Sequence, residues 1–398
     1  MHTRDQHHNR LRRVITIVLV AAVALTVICG VLFWLWHTWI TTPPRRIAVA
    51  QPAGVAIEDA RMAAEWEPAT GVLIAWPFRL PRELVVALAS AVRLYITVKD
   101  DFSQQQAVRT LTTWAVAPKA CTFIVAPQGD GWYGTRDWGP FAVFDASGDC
   151  HLADARYVDY PVSGPGRDDP IYWLTKLEDL DFRPDDQAPA AVAESLCLPR
   201  IELHFALTGG AVATDGRGTA FITESVIREN EALGVPKDQF FEAAEAMLGI
   251  ERFIVVPNYE AMGVHHIDCL LALLDSERIL VKRPPRDHHQ YEYVERVVDV
   301  LSQQLTPSGR PYEVLRVDTP RYAEQWLANY ANALILNQKV YVPLFGIDAD
   351  EEALATWQRA MPGYQVLGFE FDGEDGWTYT DALHCRIKAI WDAHAAQR

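Results

Sequence analysis

The sequence predicts an α/β fold that is built from repeated small units and preceded by one membrane-spanning helix. Two observations support this prediction. Patterns typical of a β-hairpin, a helix and a further strand recur at intervals of about sixty residues, a period that suits a cyclic array of small α/β units. Ahead of them, residues 14–40 form an apolar run, and about 20 such residues cross a bilayer as a helix.

The N-terminal apolar run carries no formal charge apart from the titratable His37. Arg12 and Arg13 precede it, and Trp36 and Trp39 near its end suit the aromatic belt of a membrane interface. The positive-inside rule places the N-terminus in the cytoplasm and the rest of the chain on the periplasmic or extracellular side. Because no Ala-x-Ala cleavage site is found here, we expect an uncleaved anchor.

Residues 1–46 are therefore predicted to be the cytoplasmic tail, anchor and connector, and residues 47–398 one globular domain. Period-two apolar patterns predict its strands, and patterns of helical period predict its helices. Turn residues between paired apolar runs predict its hairpins. In chain order we predict strands at 71–76 and 94–99 around a helix from Arg82, a strand at 121–125, hairpins at 141–157 and 211–223, a helix at 239–248, a strand at 253–257, a hairpin at 270–281, a helix at 291–305, a strand at 312–317, a hairpin at 333–342, a helix at 351–360, a strand at 365–371 and a last strand near Cys385.

The charge balance restricts the class of ligand. The chain has 36 Lys and Arg against 52 Asp and Glu, a net charge of −16. Because phosphate binding depends on clustered Lys and Arg, this balance disfavours a nucleic-acid partner. It suits a cationic substrate.

The cysteines lack the spacing of a structural zinc site, since none forms a CxxC pair and no Cys/His spacing fits. We therefore predict no metal. Outside the cytoplasm disulfides are permitted, but a catalytic thiol has to remain unpaired. Pairing is left open for Cys121, Cys150, Cys197 and Cys269.

Cys385, close to the C-terminus, is a candidate nucleophile, although a lone Cys in an apolar strand is usually an inert small hydrophobe. His266 and Asp268 are separated by one residue, and on a strand this spacing puts both side chains on one face. There the carboxylate can hold a cationic group while the imidazole transfers a proton. His265 and His266 could alternatively form a metal or core pair.

A turn-rich segment, residues 136–140, predicts a loop that holds Asp137, and a salt-bridged turn is its structural alternative. Together with five further motifs it resembles a known family. These motifs are Glu65-Trp66-Glu67-Pro68 with Ala75-Trp76-Pro77, Arg136-Asp137-Trp138-Gly139-Pro140, Thr208-Gly209-Gly210 with Thr214-Asp215-Gly216 and Thr223-Glu224, His266-Ile267-Asp268, Tyr330-Ala331-Asn332, and Leu383-His384-Cys385.

In this order the motifs resemble the guanidino-group-modifying enzymes, specifically the branch of agmatine deiminases and Porphyromonas-type peptidylarginine deiminases, over about residues 60–392. The resemblance implies a five-bladed α/β propeller, the pentein fold, whose pseudo-fivefold units match the predicted repeats. It also implies hydrolysis of a guanidino group to a ureido group and ammonia, without cofactor or metal.

The resemblance assigns roles to five residues. Asp137 and Asp268 are expected to clamp the planar guanidinium by charge-assisted hydrogen bonds. Cys385 is expected to attack as the thiolate, which the bound cation or protonated His266 favours. His266 is expected to protonate the ammonia that leaves and then to activate water, and Asn332 to order the nucleophile region.

Three positions depart from the family or decide its substrate. Gly134 stands where the family usually has Trp, and Trp132 is displaced by two residues, so a pocket wall is expected to differ. Thr208 occupies the place where agmatine deiminases carry Glu, which favours arginine in a peptide. Arg167 remains from the arginines that bind a C-terminal carboxylate in this branch, although its plain alternative is an exposed loop charge.

Other functions remain open on the same sequence. An agmatine deiminase is the first alternative. Amidino transfer or dimethylarginine hydrolysis on the same scaffold is the second. The third is a guanidino-binding relic that has lost catalysis, which the presence of a complete acid, base and nucleophile set disfavours.

Overall fold

The computed structural model describes residues 56–129, 131–157, 184–259, 265–323, 326–372, 376–378 and 381–391. The chain divides at Ala48 into two units. The first unit, and with it the predicted anchor at residues 14–40, lies outside the described ranges. No helix within those ranges is long and apolar enough to span a membrane.

The second unit alternates short strands with helices. Its described strands are β1 (Arg61–Met62), β2 (Gly71–Ala75), β3 (Arg93–Val98), β4 (Cys121–Val125), β5 (Phe141–Phe144), β6 (Cys150–Arg156), β7 (Arg200–Ala206), β8 (Val212–Thr214), β9 (Thr219–Thr223), β10 (Arg252–Val256), β11 (Leu271–Leu273), β12 (Arg278–Arg283), β13 (Glu313–Asp318), β14 (Arg321–Ala323), β15 (Trp326–Leu327), β16 (Leu334–Leu336), β17 (Lys339–Leu344), β18 (Gln365–Glu370) and β19 (Lys388–Ile390). Its described helices are α1 (Arg82–Ala91), α2 (Asp101–Thr113), α3 (Thr135–Trp138), α4 (Ala188–Leu196), α5 (Glu224–Ala232), α6 (Lys237–Leu248), α7 (Tyr291–Ser302) and α8 (Ala349–Ala360).

One strand arrangement recurs along the chain: an antiparallel pair, then a strand that joins the pair in parallel after a helix. It is formed by β5, β6 and β7, by β8, β9 and β10, by β11, β12 and β13, and by β16, β17 and β18. The fifth example combines strands from both ends of the second unit. The C-terminal β19 pairs antiparallel with β2, and β2 pairs in parallel with β3. The predicted succession of hairpin, helix and strand is therefore confirmed.

Helix α7 packs an apolar stripe against the sheet of its own repeat. In α7, Val294, Val297 and Leu301 are buried at helical spacing and belong to the same apolar cluster as Ile279 and Val281 of β12. A fully buried side chain of this size contributes about 1.5–3 kcal/mol relative to an exposed one. The apolar clusters also cross from one repeat to the next, since this cluster contains Phe221 of β9 and Ile254 of β10.

The sequence patterns missed four helices, α2, α3, α4 and α5. In α2 only Ala107 and Leu111 are buried, so its apolar face is too narrow to give a helical period. The cysteines also have a clear outcome, since the five within the described ranges form no disulfide with one another. No disulfide therefore joins Cys121 to Cys150.

Candidate active site

Cys385 lies in a 3₁₀ turn, His384–Arg386, that leads into β19. The prediction that it lies in an apolar strand was wrong. Leu383, just before the turn, has helical backbone angles. Arg386 fixes the end of the turn with two hydrogen bonds to the Asp381 carboxylate and one to the Gly376 carbonyl. Cys385 is only 4% exposed.

Asn332 fastens the backbone and the thiol of this turn together. Its Nδ2 donates to Cys385 Sγ at 3.2 Å and to the Asp268 carbonyl at 3.1 Å. Its Oδ1 accepts from the His384 amide at 3.0 Å. The Tyr330-Ala331-Asn332 motif resembles a strand segment of the family, but here Asn332 lies in a turn before β16. This turn directs the Asn332 amide toward Cys385.

His266 and Asp268 do not share a strand, so the argument from alternating strand faces was wrong. A 3₁₀ turn, Ile267–Cys269, follows His266. Its shape is imposed by neighbours: His265 has a left-handed φ of 53°, Thr223 Oγ1 donates to the His265 carbonyl, and Tyr259 donates to the His266 carbonyl. His265 is a buried residue whose ring packs edge-on against Tyr259.

Gly210 shows where three of the predicted side chains converge. A Cβ placed on it would lie 2.6 Å from Asp137 Oδ1, 2.9 Å from His266 Nδ1 and 3.1 Å from Asp268 Oδ1. The two carboxylates and the imidazole therefore border one space that only a glycine leaves open. Cys385 Sγ reaches the same carboxylate from another side, donating to Asp268 Oδ2 at 3.5 Å.

Asp137 lies in the short helix α3, not in an irregular loop. Its Oδ1 accepts from the Gly210 amide at 3.1 Å and lies 3.5 Å from His266 Nδ1. Burial raises the pKa of Asp137 to about 6, a rise that the nearby Asp268 charge reinforces and that His266 opposes.

Asp268 has a different environment, because His384 Nδ1 lies 2.8 Å from its Oδ2. Burial alone would raise the pKa of Asp268, but the hydrogen bond and charge of His384 bring it below its ordinary value. On the other ring nitrogen, His384 Nε2 lies 3.2 Å from Glu65 Oε1, and Glu65 accepts two hydrogen bonds from Arg136 at 2.9 and 3.0 Å. The salt-bridged alternative for residues 136–140 is thus also present.

This chain of paired charges sets the protonation of its members. Burial would lower the pKa of His384, but Glu65 and Asp268 raise it above the ordinary value. Burial would raise the pKa of Glu65, but Arg136 and His384 lower it to about 2. Sequence reasoning quoted Glu65, Arg136 and His384 as motif letters and gave them no role. These three residues could have been found from their charge beside apolar segments, because a buried charge is costly unless an oppositely charged residue pairs with it.

The nucleophile has a second thiol beside it. The hydrogen bond that Cys385 donates to Cys269, burial and the Asp268 charge raise the pKa of Cys385 well above its ordinary value, so the resting sulfur is a thiol. Cys269 is 1% exposed. Within the described residues, an oxygen of Asp268 and the Sγ atoms of Cys269 and Cys385 lie within 4.8 Å of one another, the one cluster there that could hold a metal ion.

The roles of two predicted substrate-binding residues, Trp132 and Arg167, stay predictions. Trp132 precedes α3, where its ring packs against Tyr133 and beneath the guanidinium of Arg79, and its Nε1 donates to the Pro77 carbonyl. Arg167 lies outside the described residues, so its predicted role stays a prediction.

Comparison with known proteins identifies the family. The sequence pattern of the Porphyromonas-type peptidyl-arginine deiminases matches residues 61–385. A putative agmatine deiminase of Vibrio parahaemolyticus is 25% identical over 344 residues, covering 76% of this chain and 89% of that protein. One of Selenomonas ruminantium is 25% identical over 356 residues, covering 77% and 89%.

Solved structures agree on the fold. A putative arginine deiminase from Porphyromonas gingivalis has a TM-score of 0.65 at 23% identity, covering 83% of this chain and 98% of its own. The agmatine deiminase of Enterococcus faecalis has a TM-score of 0.66 at 19% identity, covering 86% and 99%. The chain thus has the mixed α/β fold of the pentein deiminases.

The family match and the similar agmatine deiminases identify the class of protein as a deiminase, a hydrolase of guanidino C–N bonds, which agrees with a buried cysteine beside two carboxylates. The chain belongs to the Porphyromonas-type peptidyl-arginine deiminase family.

Proposed function

We propose that this protein hydrolyses the guanidino group of arginine, in a peptide or a small derivative, to a ureido group and ammonia. The observation that carries the proposal is the convergence of Asp137, His266 and Asp268 on the space in front of Gly210, with the Cys385 sulfur 3.5 Å from the Asp268 carboxylate. Two carboxylates and an imidazole at one place suit a planar cation, because carboxylates bind guanidinium nitrogens by charge-assisted hydrogen bonds.

Asp137 and Asp268 bind the guanidinium nitrogens and orient its carbon toward the sulfur. Within the described residues Asp268 Oδ1 has no hydrogen-bond partner, although Asp268 is only 5% exposed. An unsatisfied buried carboxylate oxygen costs free energy, and a guanidinium N–H supplies the missing donor. The same contact holds the electrophilic carbon in position for attack.

The substrate itself activates Cys385. The thiol pKa is raised partly by the negative charge of Asp268, and a bound guanidinium offsets that charge. The thiolate therefore becomes favourable only when the cation is present. Asn332 Nδ2, 3.2 Å from the sulfur, stabilises the thiolate by donating to it.

His266 transfers the protons of the reaction. As the Cys385 sulfur bonds to the guanidinium carbon, His266 takes the thiol proton and passes it to one amino group, and the C–N bond to that group breaks with release of ammonia. Water then attacks the thiouronium carbon while His266 takes its proton, the C–S bond breaks, and the ureido product leaves. One water is consumed and one ammonium is formed for each substrate.

Thr208 supports arginine derivatives over agmatine. It precedes the Gly209–Ala211 turn that carries Gly210, and it is 1% exposed. Agmatine deiminases usually have Glu at this place, where a carboxylate can meet the second amine of agmatine. A hydroxyl offers no charge to that amine, so we propose a peptidyl-arginine type of substrate.

A mass balance on a small substrate panel tests this function. Purified full-length protein is given an arginine peptide, free arginine and agmatine, and ureido product and ammonia are measured together. We expect equal amounts of both products, the highest kcat/KM for the peptide, and none of either with Cys385→Ala. The matched control is Cys150→Ala, a buried thiol that bonds the Trp391 carbonyl. Full turnover by Cys385→Ala contradicts the proposal.

The panel and one probe also separate the alternatives. Amidino transfer requires an amine acceptor, so a product that forms only when an amine is added supports transfer. A preference of tenfold or more for agmatine replaces the proposed substrate with the polyamine-pathway alternative. A relic without catalysis is identified if Cys385 fails to react with a haloacetamidine probe in competition with substrate.

We also propose that residues 14–40 anchor the protein in a membrane, with the globular domain outside the cytoplasm. The support is the length of the uncharged run and the Arg residues ahead of it. The protein should stay with membranes after an alkaline wash, and a periplasm-only reporter fused after Arg398 should be active. A reporter that works only in the cytoplasm refutes this orientation.

We further propose that the five strand units close into a five-bladed propeller. The support is that β19, from the C-terminal end, completes the sheet that contains β2 near the start of the globular part, as closure of a ring requires. A crystal structure in which the five units do not share one axis contradicts this proposal.

A further inference from the structure

We propose that the active site also binds a thiophilic divalent cation, of which zinc and cadmium are examples, through Cys385, Cys269 and Asp268. The argument begins from three donors that the chain brings together although they come from two separate turns. One oxygen of Asp268 and the sulfurs of Cys269 and Cys385 all lie within 4.8 Å of one another. All three residues are buried.

The spacing suits tetrahedral coordination. With zinc–sulfur and zinc–oxygen bonds of about 2.3 and 2.1 Å, a tetrahedral site separates sulfur from oxygen by about 3.6 Å. Cys385 Sγ lies 3.5 Å from Asp268 Oδ2. Little movement is therefore needed for these two donors to share one ion, and Cys269 supplies the second sulfur.

The charge around the cluster also favours a cation. Asp268 Oδ1, on the Gly210 side of the carboxylate, is buried and has no hydrogen-bond partner among the described residues. Asp137 adds a second carboxylate on that side. The negative charge that receives a guanidinium also attracts a metal ion, and the two sulfurs select thiophilic metals over magnesium or calcium, which prefer oxygen ligands.

His384 completes the surroundings of this site. Its Nδ1 lies 2.8 Å from Asp268 Oδ2, which orients the carboxylate as outer hydrogen bonds do in other metal sites. On binding, each thiol releases its proton and becomes a thiolate ligand. Because Cys385 and Asp268 are occupied by the ion, the guanidino substrate is displaced. Metal binding itself does not depend on the proposed function, whereas the competitive inhibition rests on it.

Cadmium titration of the full-length protein tests the binding directly. Cys197 is exposed, so every variant carries Cys197→Ser to remove an adventitious surface thiol. We expect an ultraviolet sulfur-to-cadmium charge-transfer band that saturates at one ion per chain. Cys269→Ala should lose about half of the band and at least about tenfold in affinity, whereas Cys150→Ala should match the parent.

Cys269→Ser provides a second variant if the alanine change impairs folding, which thermal unfolding reveals. Equal band and affinity in the parent and both Cys269 variants overturn the site. So does an equal loss in Cys150→Ala.

Inhibition by zinc is the second measurement. It should be competitive with the guanidino substrate, reversed by a chelator, and weakened at least about tenfold by the Cys269 change. Inhibition that is not competitive places the ion elsewhere and overturns the site. If no variant turns over any substrate, the proposed function has failed, and the cadmium band alone still decides the metal site.

Discussion

Asp137 and Asp268 face the same space in front of Gly210, yet they lie in opposite electrostatic surroundings. Asp268 is hydrogen-bonded to His384, which continues to Glu65 and Arg136, and its pKa is lowered despite burial. Asp137 receives one backbone hydrogen bond from Gly210 and lies near His266, and burial raises its pKa to about 6.

This difference separates a permanent charge from an adjustable one. Asp268 stays ionised because a chain of alternating charges stabilises its carboxylate. Asp137 is ionised at neutral pH but not in mild acid, so its charge depends on the surrounding pH and on the bound cation. Pairs of titratable groups whose surroundings push their pKa values apart are a common basis of acid and base assignment in enzymes.

The largest effect is expected from Asp268→Asn. The change preserves shape but removes the fixed negative charge of the clamp and leaves His384 facing an amide. We expect kcat/KM at pH 7 to fall by about 10³-fold or more. A loss below tenfold at pH 7, with normal thermal unfolding, contradicts the role of Asp268.

Gly210→Ala is expected to have the next largest effect. Its methyl group would lie within 3.1 Å of Asp137, His266 and Asp268, where the guanidinium should bind. Small misplacements of reacting groups cost about 10²-fold, and we expect a loss of that size in kcat/KM. The matched control is Gly134→Ala, whose methyl group meets its nearest neighbours at 3.4 and 3.8 Å. Equal activity of the two variants contradicts a substrate site in front of Gly210.

The pH profile is expected to report Asp137. Its carboxylate binds the cation only when ionised, and its raised pKa of about 6 means that this binding is present above pH 6 and is lost as pH falls. For the free enzyme, kcat/KM should therefore decrease about tenfold per pH unit below about pH 6. Asp137→Asn should remove this limb, so its defect relative to the parent should shrink in acid. A profile that Asp137→Asn leaves unchanged assigns the limb to another group.

The smallest effect is expected from Thr208→Glu, which alters selectivity rather than catalysis. The new carboxylate should raise kcat/KM for agmatine relative to the arginine peptide by about tenfold, as buried charge complementarity allows. Thr208→Gln is the matched control, because it has the size of Glu without its charge. A similar change of ratio in both variants attributes the effect to size and removes the support that Thr208 gives to peptide substrates.

The sequence was informative about elements and motifs but not about which distant groups meet. Its periodicity predicted the recurring hairpin, helix and strand, because the strands and helices of each repeat bury an apolar face. It did not predict the turns of Ile267–Cys269 and His384–Arg386, because tertiary hydrogen bonds to neighbouring carbonyls override local strand patterns. For the same reason the strand geometry of His266 and Asp268 was wrong, although both were rightly singled out as facing one space.

The sequence also did not predict the chain of paired charges through Glu65 and His384. Its members are far apart in sequence and meet because β19 pairs with β2 near the start of the globular part. The proximity of Cys269 to Cys385 could not be predicted either, because the spacing of Cys and His residues in the sequence does not indicate it. Pairings across the fold depend on where the turns deliver each side chain, which single-sequence patterns do not encode.

The central claim is that Cys385 forms a covalent bond with the guanidino carbon before water does. A rapid-quench single turnover with the arginine peptide, followed by proteolysis and mass spectrometry, measures this directly. The peptide that contains Cys385 should transiently gain the mass of the substrate less one ammonia, and ammonia should appear before the ureido product. Complete turnover during which that peptide stays unmodified, or an adduct on a different residue, would contradict the account.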